Sequence, residues 1–148
     1  MFERIVAAID NDPERGARVV EAAQELALKF RSVVVVAHVR EVERPAAMVG
    51  TARPSALPPA LHFESEEEAR ELVDSAVGRL RGAGVQASGE VGPGAAGSTA
   101  RELLDIAQSY RATLIVVGDR GSRVADMLLG GVANRIAHLA DCPVLLVR

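Results

Sequence analysis

A chain of 148 residues, 49% apolar and 25% charged, has the size and balance of one globular domain, and folding should bury roughly two thirds of its extended surface. Aromatic residues make up only 3%, so the core has to be built from Val, Ala, Leu and Ile, a set that suits parallel strands under Ala-rich helices. A net charge of −3 without clustered Lys and Arg argues against nucleic acid or an anionic membrane as partner, and no apolar run reaches bilayer-crossing length.

The first predicted strand is the apolar run at residues 4–9. It is closed by Asp10-Asn11-Asp12-Pro13, where an aspartate before a proline matches an N-cap followed by the first helical residue. Val19, Ala22, Ala23, Leu26 and Phe30 then recur at three- and four-residue spacing, the single apolar face of a helix lying on a sheet. Residues 32–39, with four consecutive valines, form a second buried strand and complete a β-α-β unit. From 41 to 62 the periodicity stops and Pro45, Pro54, Pro58 and Pro59 mark a long loop, of the kind that serves as a lid or a partner surface. Ser65-Glu66-Glu67-Glu68 is a capping box, and Leu72, Val73, Ala76, Val77 and Leu80 continue it as a second helix ended by Gly82 and Gly84. A third strand at 85–91 is weakly patterned, because Ala87, Ser88 and Gly89 are poor strand formers.

After the Gly92-Pro93-Gly94 turn, Thr99-Ala100-Arg101-Glu102 has the pattern of another capping box, and Leu103, Leu104, Ala107 and Tyr110 give a third helix its stripe. Thr113-Leu114-Ile115-Val116-Val117-Gly118 is the strongest strand of the sequence, a fourth helix starts near Gly130-Gly131-Val132, and Val144-Leu145-Leu146-Val147 is the last strand. Five strands alternating with four helices, with no internal repeat, predict a single α/β domain over 1–148. Its sheet is open, five-stranded, parallel and doubly wound, with helices on both faces.

In such a sheet, ligands collect outside the carboxyl ends of the strands where the winding reverses. Residues 10–12, Val39 and Gly118-Asp119-Arg120-Gly121 reach that edge, and the helix starting near Gly131 would aim its free N–H groups and positive dipole end at the same place. Together they describe a mononucleotide pocket. Lys29, the only lysine, falls inside a predicted helix, which leaves no phosphate-loop lysine and no Schiff-base nucleophile. The single cysteine, Cys142, cannot form an internal disulfide and reads as a small hydrophobe, consistent with a cytoplasmic protein. His38 reads as packed, and His62 and His138 have no partner at metal-ligand spacing. Asp10 has a bland alternative as a turn residue, but Asp12 already accounts for the helix cap.

Residues 5–10 with Asp12-Pro13, the strand end Val36-Ala37-His38-Val39, and the segment Ile115-Val116-Val117-Gly118-x-x-Gly121 with Leu128-Leu129-Gly130 and Cys142-Pro143-Val144-Leu145-Leu146-Val147 resemble the universal stress protein family, small single-domain type, along nearly the whole chain. The resemblance implies a Rossmann-like fold, a homodimer and an ATP ligand. It implies that Asp10 hydrogen-bonds the ribose or adenine side, that Val39 and Val117 flank the base, and that Gly118, Arg120, Gly121, Gly130, Gly131 and Val132 line the phosphates. In ATP-binding members the signature is Gly, two residues, Gly, nine residues, then Gly followed by Ser or Thr. Here only residues 122–129 separate Gly121 from Gly130, and Gly131 stands where the hydroxyl belongs. Counting to Gly131 restores the spacing but puts Val132 at that position. Either way one donor to a phosphate is missing, worth roughly 1 kcal/mol where a backbone N–H or water substitutes. ADP and AMP lose less by this change than ATP, whose companion ion would be Mg2+.

Two functions follow from the resemblance: a nucleotide-sensing stress or signalling module, and a dimeric interaction protein of the same fold without nucleotide. Both would pair through the apolar edge strand Val144 to Val147. An enzyme is disfavoured, with slow ATP hydrolysis as the upper bound: no general base or activated nucleophile is evident. No Gly-x-Gly-x-x-Gly follows the first strand, and Gly92-Pro93-Gly94 stands where a receiver domain would want an aspartate.

Overall fold

The computed structural model describes residues 1–41, 63–94, 98–119 and 131–148, so nearly all of the loop expected at 41–62 lies outside it. Strands β1 (Arg4–Ala8), β2 (Val33–Val39), β3 (Gln86–Gly92), β4 (Leu114–Gly118) and β5 (Val144–Val147) form one sheet in the order β3-β2-β1-β4-β5. Every neighbouring pair is parallel. Helices α1 (Pro13–Phe30), α2 (Glu66–Gly82), α3 (Thr99–Ser109) and α4 (Val132–Leu139) cover it. The expected α/β class and doubly wound parallel sheet are thus what the chain forms.

The valine run of β2 feeds both faces. Val34 and Val36 pack with Val19, Val20 and Ala23 of α1 and with Val73, Val77 and Leu80 of α2. Val35, Ala37 and Val39 pack on the opposite face with Leu103 and Ala107 of α3 and Ile136 of α4. A strand covered on both sides gains nothing from a polar face, which is why these strands read as continuous apolar runs. Among the described residues no helix is long and apolar enough to cross a membrane.

Local signals acted largely as read. Asp12 caps α1 by accepting the Arg15 N–H at 2.9 Å, with Pro13 as first helical residue. Ser65 and Glu68 close a reciprocal capping box at α2. At α3 the cap lies one residue earlier than expected and is not reciprocal: Ser98, not Thr99, is the N-cap, its hydroxyl accepting the Arg101 N–H at 3.2 Å. Glu102 is drawn away from the helix start because its carboxylate accepts the Gly94 N–H at 3.1 Å, bracing the turn after β3.

Candidate functional site

The winding reverses between β1 and β4, since α1 carries the chain to one side of β1 and α3 brings it back to the other. The carboxyl ends of these two strands flank a cleft of about 580 Å3, a usual size for a small-molecule site. Asp10, Val39, Val117, Gly118, Gly131 and Val132 all line it. Arg120, Gly121 and Gly130, the other residues expected to serve phosphates, lie outside the described residues.

Asp10 is not a free carboxylate. Its Oδ1 accepts the Asp12 N–H at 3.0 Å, and its Oδ2 accepts Arg15 Nε–H at 2.7 Å with Arg15 Nη2 at 2.6 Å. The turn role that was expected to fall to Asp12 alone is therefore shared by Asp10. Arg15 Nη1 also lies 3.4 Å from Asp12 Oδ2. The Arg15 N–H bond, opposed by desolvation and helped by the guanidinium charge, holds the Asp12 carboxyl below its ordinary pKa. The stem of Arg15 crosses the end of β4: a Cβ on Gly118 would overlap Arg15 Cγ and stand 2.7 Å from Cδ. A side chain at 118 would therefore have to displace the Arg15 stem, independently of any phosphate.

Across the cleft, Val39 and Val117 are buried on the face of α3 and α4, where Thr99 and Leu103 also reach the cavity. Gly131 is the N-cap of α4 and supplies no side-chain cap, so the first-turn N–H groups stand at the cleft without the hydroxyl partner that Ser or Thr would bring. Its φ of −51° suits any L-residue, and a Cβ there would meet nothing within 4 Å among the described residues. At the β5 side, Arg148 Nε lies 3.2 Å from Asp119 Oδ2.

His38 closes the floor. Its ring is buried, with Nδ1 2.9 Å from the Ile9 carbonyl and Nε2 2.8 and 3.0 Å from the two carboxylate oxygens of Glu64. Glu64 also accepts the Glu41 N–H at 2.7 Å, and its own carbonyl accepts two Arg40 guanidinium N–H groups. Burial pushes the Glu64 carboxyl up, but hydrogen bonds from Glu41, His38 and Asn11, together with the His38 charge, outweigh it and leave the pKa lowered. Sequence reasoning placed His38 correctly as packed but gave no sign of Glu64, twenty-six positions away. Arg15 was also missed. Its signal was position alone: the first turn of the helix after β1 faces the carboxyl edge of the sheet. Among the described residues no group of three or more His, Cys, Asp or Glu could hold a metal ion.

A family model described as the universal stress protein family matches residues 1–148. The chain is 32% identical over 152 aligned residues to "Universal stress protein YxiE" of Bacillus subtilis (strain 168), covering 100% of both chains. Its fold is that of a universal stress protein crystallised in complex with cAMP, with TM-score 0.74, 21% identity, and 99% and 97% of the two chains covered. It is likewise that of the universal stress protein from Archaeoglobus fulgidus in complex with dAMP, with TM-score 0.67, 23% identity, and 100% and 98% covered.

Proposed function

The chain belongs to the universal stress protein family, and from that premise we propose that it is an adenine-nucleotide-binding signalling module that works as a homodimer and not as an enzyme. The observation that carries this reading is the cleft at the winding reversal. It joins an apolar wall at Val39 and Val117 to the uncapped N-terminus of α4, so one mononucleotide can meet a base-sized apolar surface and backbone phosphate donors together. That two solved relatives of the same fold hold cAMP and dAMP supports the ligand class.

Among the described residues the donor set favours few phosphates. Gly131 offers N–H groups but no hydroxyl, and Asp10 is engaged by Arg15, so neither extends the site toward a chain of phosphates or a metal ion. Mg2+ accompanying ATP would be held by phosphate oxygens and water, its usual first shell. We infer that any hydrolysis is slow, because two carboxylates of the cleft are already paired, Asp10 with Arg15 and Asp119 with Arg148.

The test is to purify the protein without added nucleotide, denature it and look for released adenine nucleotide, then titrate the refolded or fresh protein calorimetrically with AMP, ADP and ATP. Saturable binding is expected, weakest for ATP. Gly131→Ser, which has room for its side chain and places a hydroxyl at the helix N-cap, should strengthen ATP binding severalfold. Failure of all three nucleotides to bind at millimolar concentration sinks the nucleotide reading and leaves the interaction-protein alternative.

A further inference from the structure

The ladder between β1 and β2 stops one bond short. Val35, Ala37 and Val39 turn their backbone groups toward β1, and the bonds run regularly as far as the Ile9 N–H, which donates to the Ala37 carbonyl at 2.9 Å. The next bond of a parallel ladder would carry the Val39 N–H to the Ile9 carbonyl. Among the described residues it is not made. The Ile9 carbonyl instead faces His38 Nδ1 at 2.9 Å, and a carbonyl only accepts, so that nitrogen carries the hydrogen. Val39, which lines the cleft and is 3% exposed, is left with a backbone donor that no other described group takes up. A buried N–H without a partner is rare enough to demand a reason.

Resting on the adenine-nucleotide reading above, we propose that His38 is a positioning residue for the base: it draws the Ile9 carbonyl out of the ladder and so keeps the Val39 N–H open for an acceptor on the ligand. The ring is held to this task from its other side. Its Nε2 lies 2.8 and 3.0 Å from the Glu64 carboxylate oxygens, and Glu64 is fixed in turn by the Glu41 N–H at 2.7 Å. By the alternation of the strand, His38 shares the face of Val34 and Val36 under α1 and α2, whereas Val39 packs on the opposite face with Leu103 and Ile136. The imidazole therefore acts on a base at the Val39 wall through the backbone. A donor held open leaves the empty cleft short of one hydrogen bond, and a ligand acceptor supplies it, so the contact favours the occupied state.

The experiment titrates AMP calorimetrically into wild type, His38→Asn and His38→Leu, and follows backbone amide exchange by NMR with and without AMP. Both substitutions abandon Glu64 alike, so the loss they share in thermal melts measures the structural part. They differ at Ile9. The asparagine amide stands close to the place of Nδ1 and can still donate to the carbonyl, whereas leucine cannot and lets the ladder bond close. In ligand-free wild type and His38→Asn the Val39 amide should exchange faster than those of Val35 and Ala37, which share its side of β2; in His38→Leu it should slow to match them. AMP affinity should fall about tenfold in His38→Leu, the scale of one hydrogen bond lost, and asparagine should restore most of it. AMP should also protect the Val39 amide of wild type, a measurement that decides alone should the leucine variant not fold. A Val39 amide already protected in the free wild type, AMP bound without protecting it, or parallel losses of affinity in the two variants overturns the positioning role and leaves the nucleotide reading intact. No binding of AMP by wild type defeats both.

Discussion

His38 meets a hydrogen-bond acceptor at each ring nitrogen: a backbone carbonyl at Nδ1 and the Glu64 carboxylate at Nε2. The buried pair sets an imidazole ring against a carboxylate at hydrogen-bond distance. It ties β2 to Glu64, which in turn is bonded to Arg40 and Glu41. Glu64→Gln keeps the shape and loses the charge, and should cost about 2–3 kcal/mol in urea unfolding at neutral pH. The pH dependence has a definite sign. A carboxyl whose folded pKa is depressed contributes stability that is fully present above its unfolded value, about 4.3, and is lost as pH falls through the lower folded value. Wild type should therefore lose an acid-labile increment below about pH 4.3 that Glu64→Gln lacks; parallel acid unfolding curves would contradict the pair. Asp10, Val39, Val117, Gly131 and Val132 could be placed at one edge from the sequence because strand ends and helix starts mark that edge. Glu64 and Arg15 could not, because each acts through a partner that only the tertiary fold supplies.

At the level of elements, the strands that could be read were those with β-branched runs, β1, β2 and β4, whose two faces are both covered. β3 was read weakly for a reason that the packing makes plain. Gly89 lies where α2 presses closest: a Cβ there would overlap Val73 Cγ1 and stand 3.3 Å from Val77 Cγ2. Local propensity was surrendered to let a helix approach, and tertiary contact decided the strand. Gly89→Ala should accordingly destabilise the protein by about 1–3 kcal/mol, although alanine is the better strand former, and pairing it with Val73→Ala should recover part of the loss. A stabilised Gly89→Ala in urea unfolding would mean that α2 yields without cost. The α3 cap was misplaced by one residue on similar grounds. Thr99 and Glu102 have the right spacing for a box, but the bond from Gly94 to Glu102 is a contact between elements and leaves no trace in the local pattern.

At the scale of the molecule, the sheet ends in two unlike edges. β3 carries Glu90, which accepts from Tyr110, and sits under α2. β5 pairs only with β4 among the described residues, and its four residues are all apolar, with Leu145 and Leu146 each 39% exposed. An apolar edge without lysine or proline is the kind that native chains cover, and a second copy across a two-fold axis would cover it with the same strand. Leu146 also lines the cleft, so pairing there would set one wall of the ligand site and let occupancy and association influence each other. Leu145 faces the α1 side and stands apart from the cleft lining, which makes it the position to perturb. Wild type should elute, with light scattering, at twice the 15.6 kDa chain mass, and Leu145→Arg should shift it to the single-chain value by placing two like charges beside each other at the axis. The variant's melting temperature should also cease to depend on protein concentration, as linkage requires once association is removed. A wild-type protein that scatters as a single chain at micromolar concentration would place the pairing surface elsewhere or remove it.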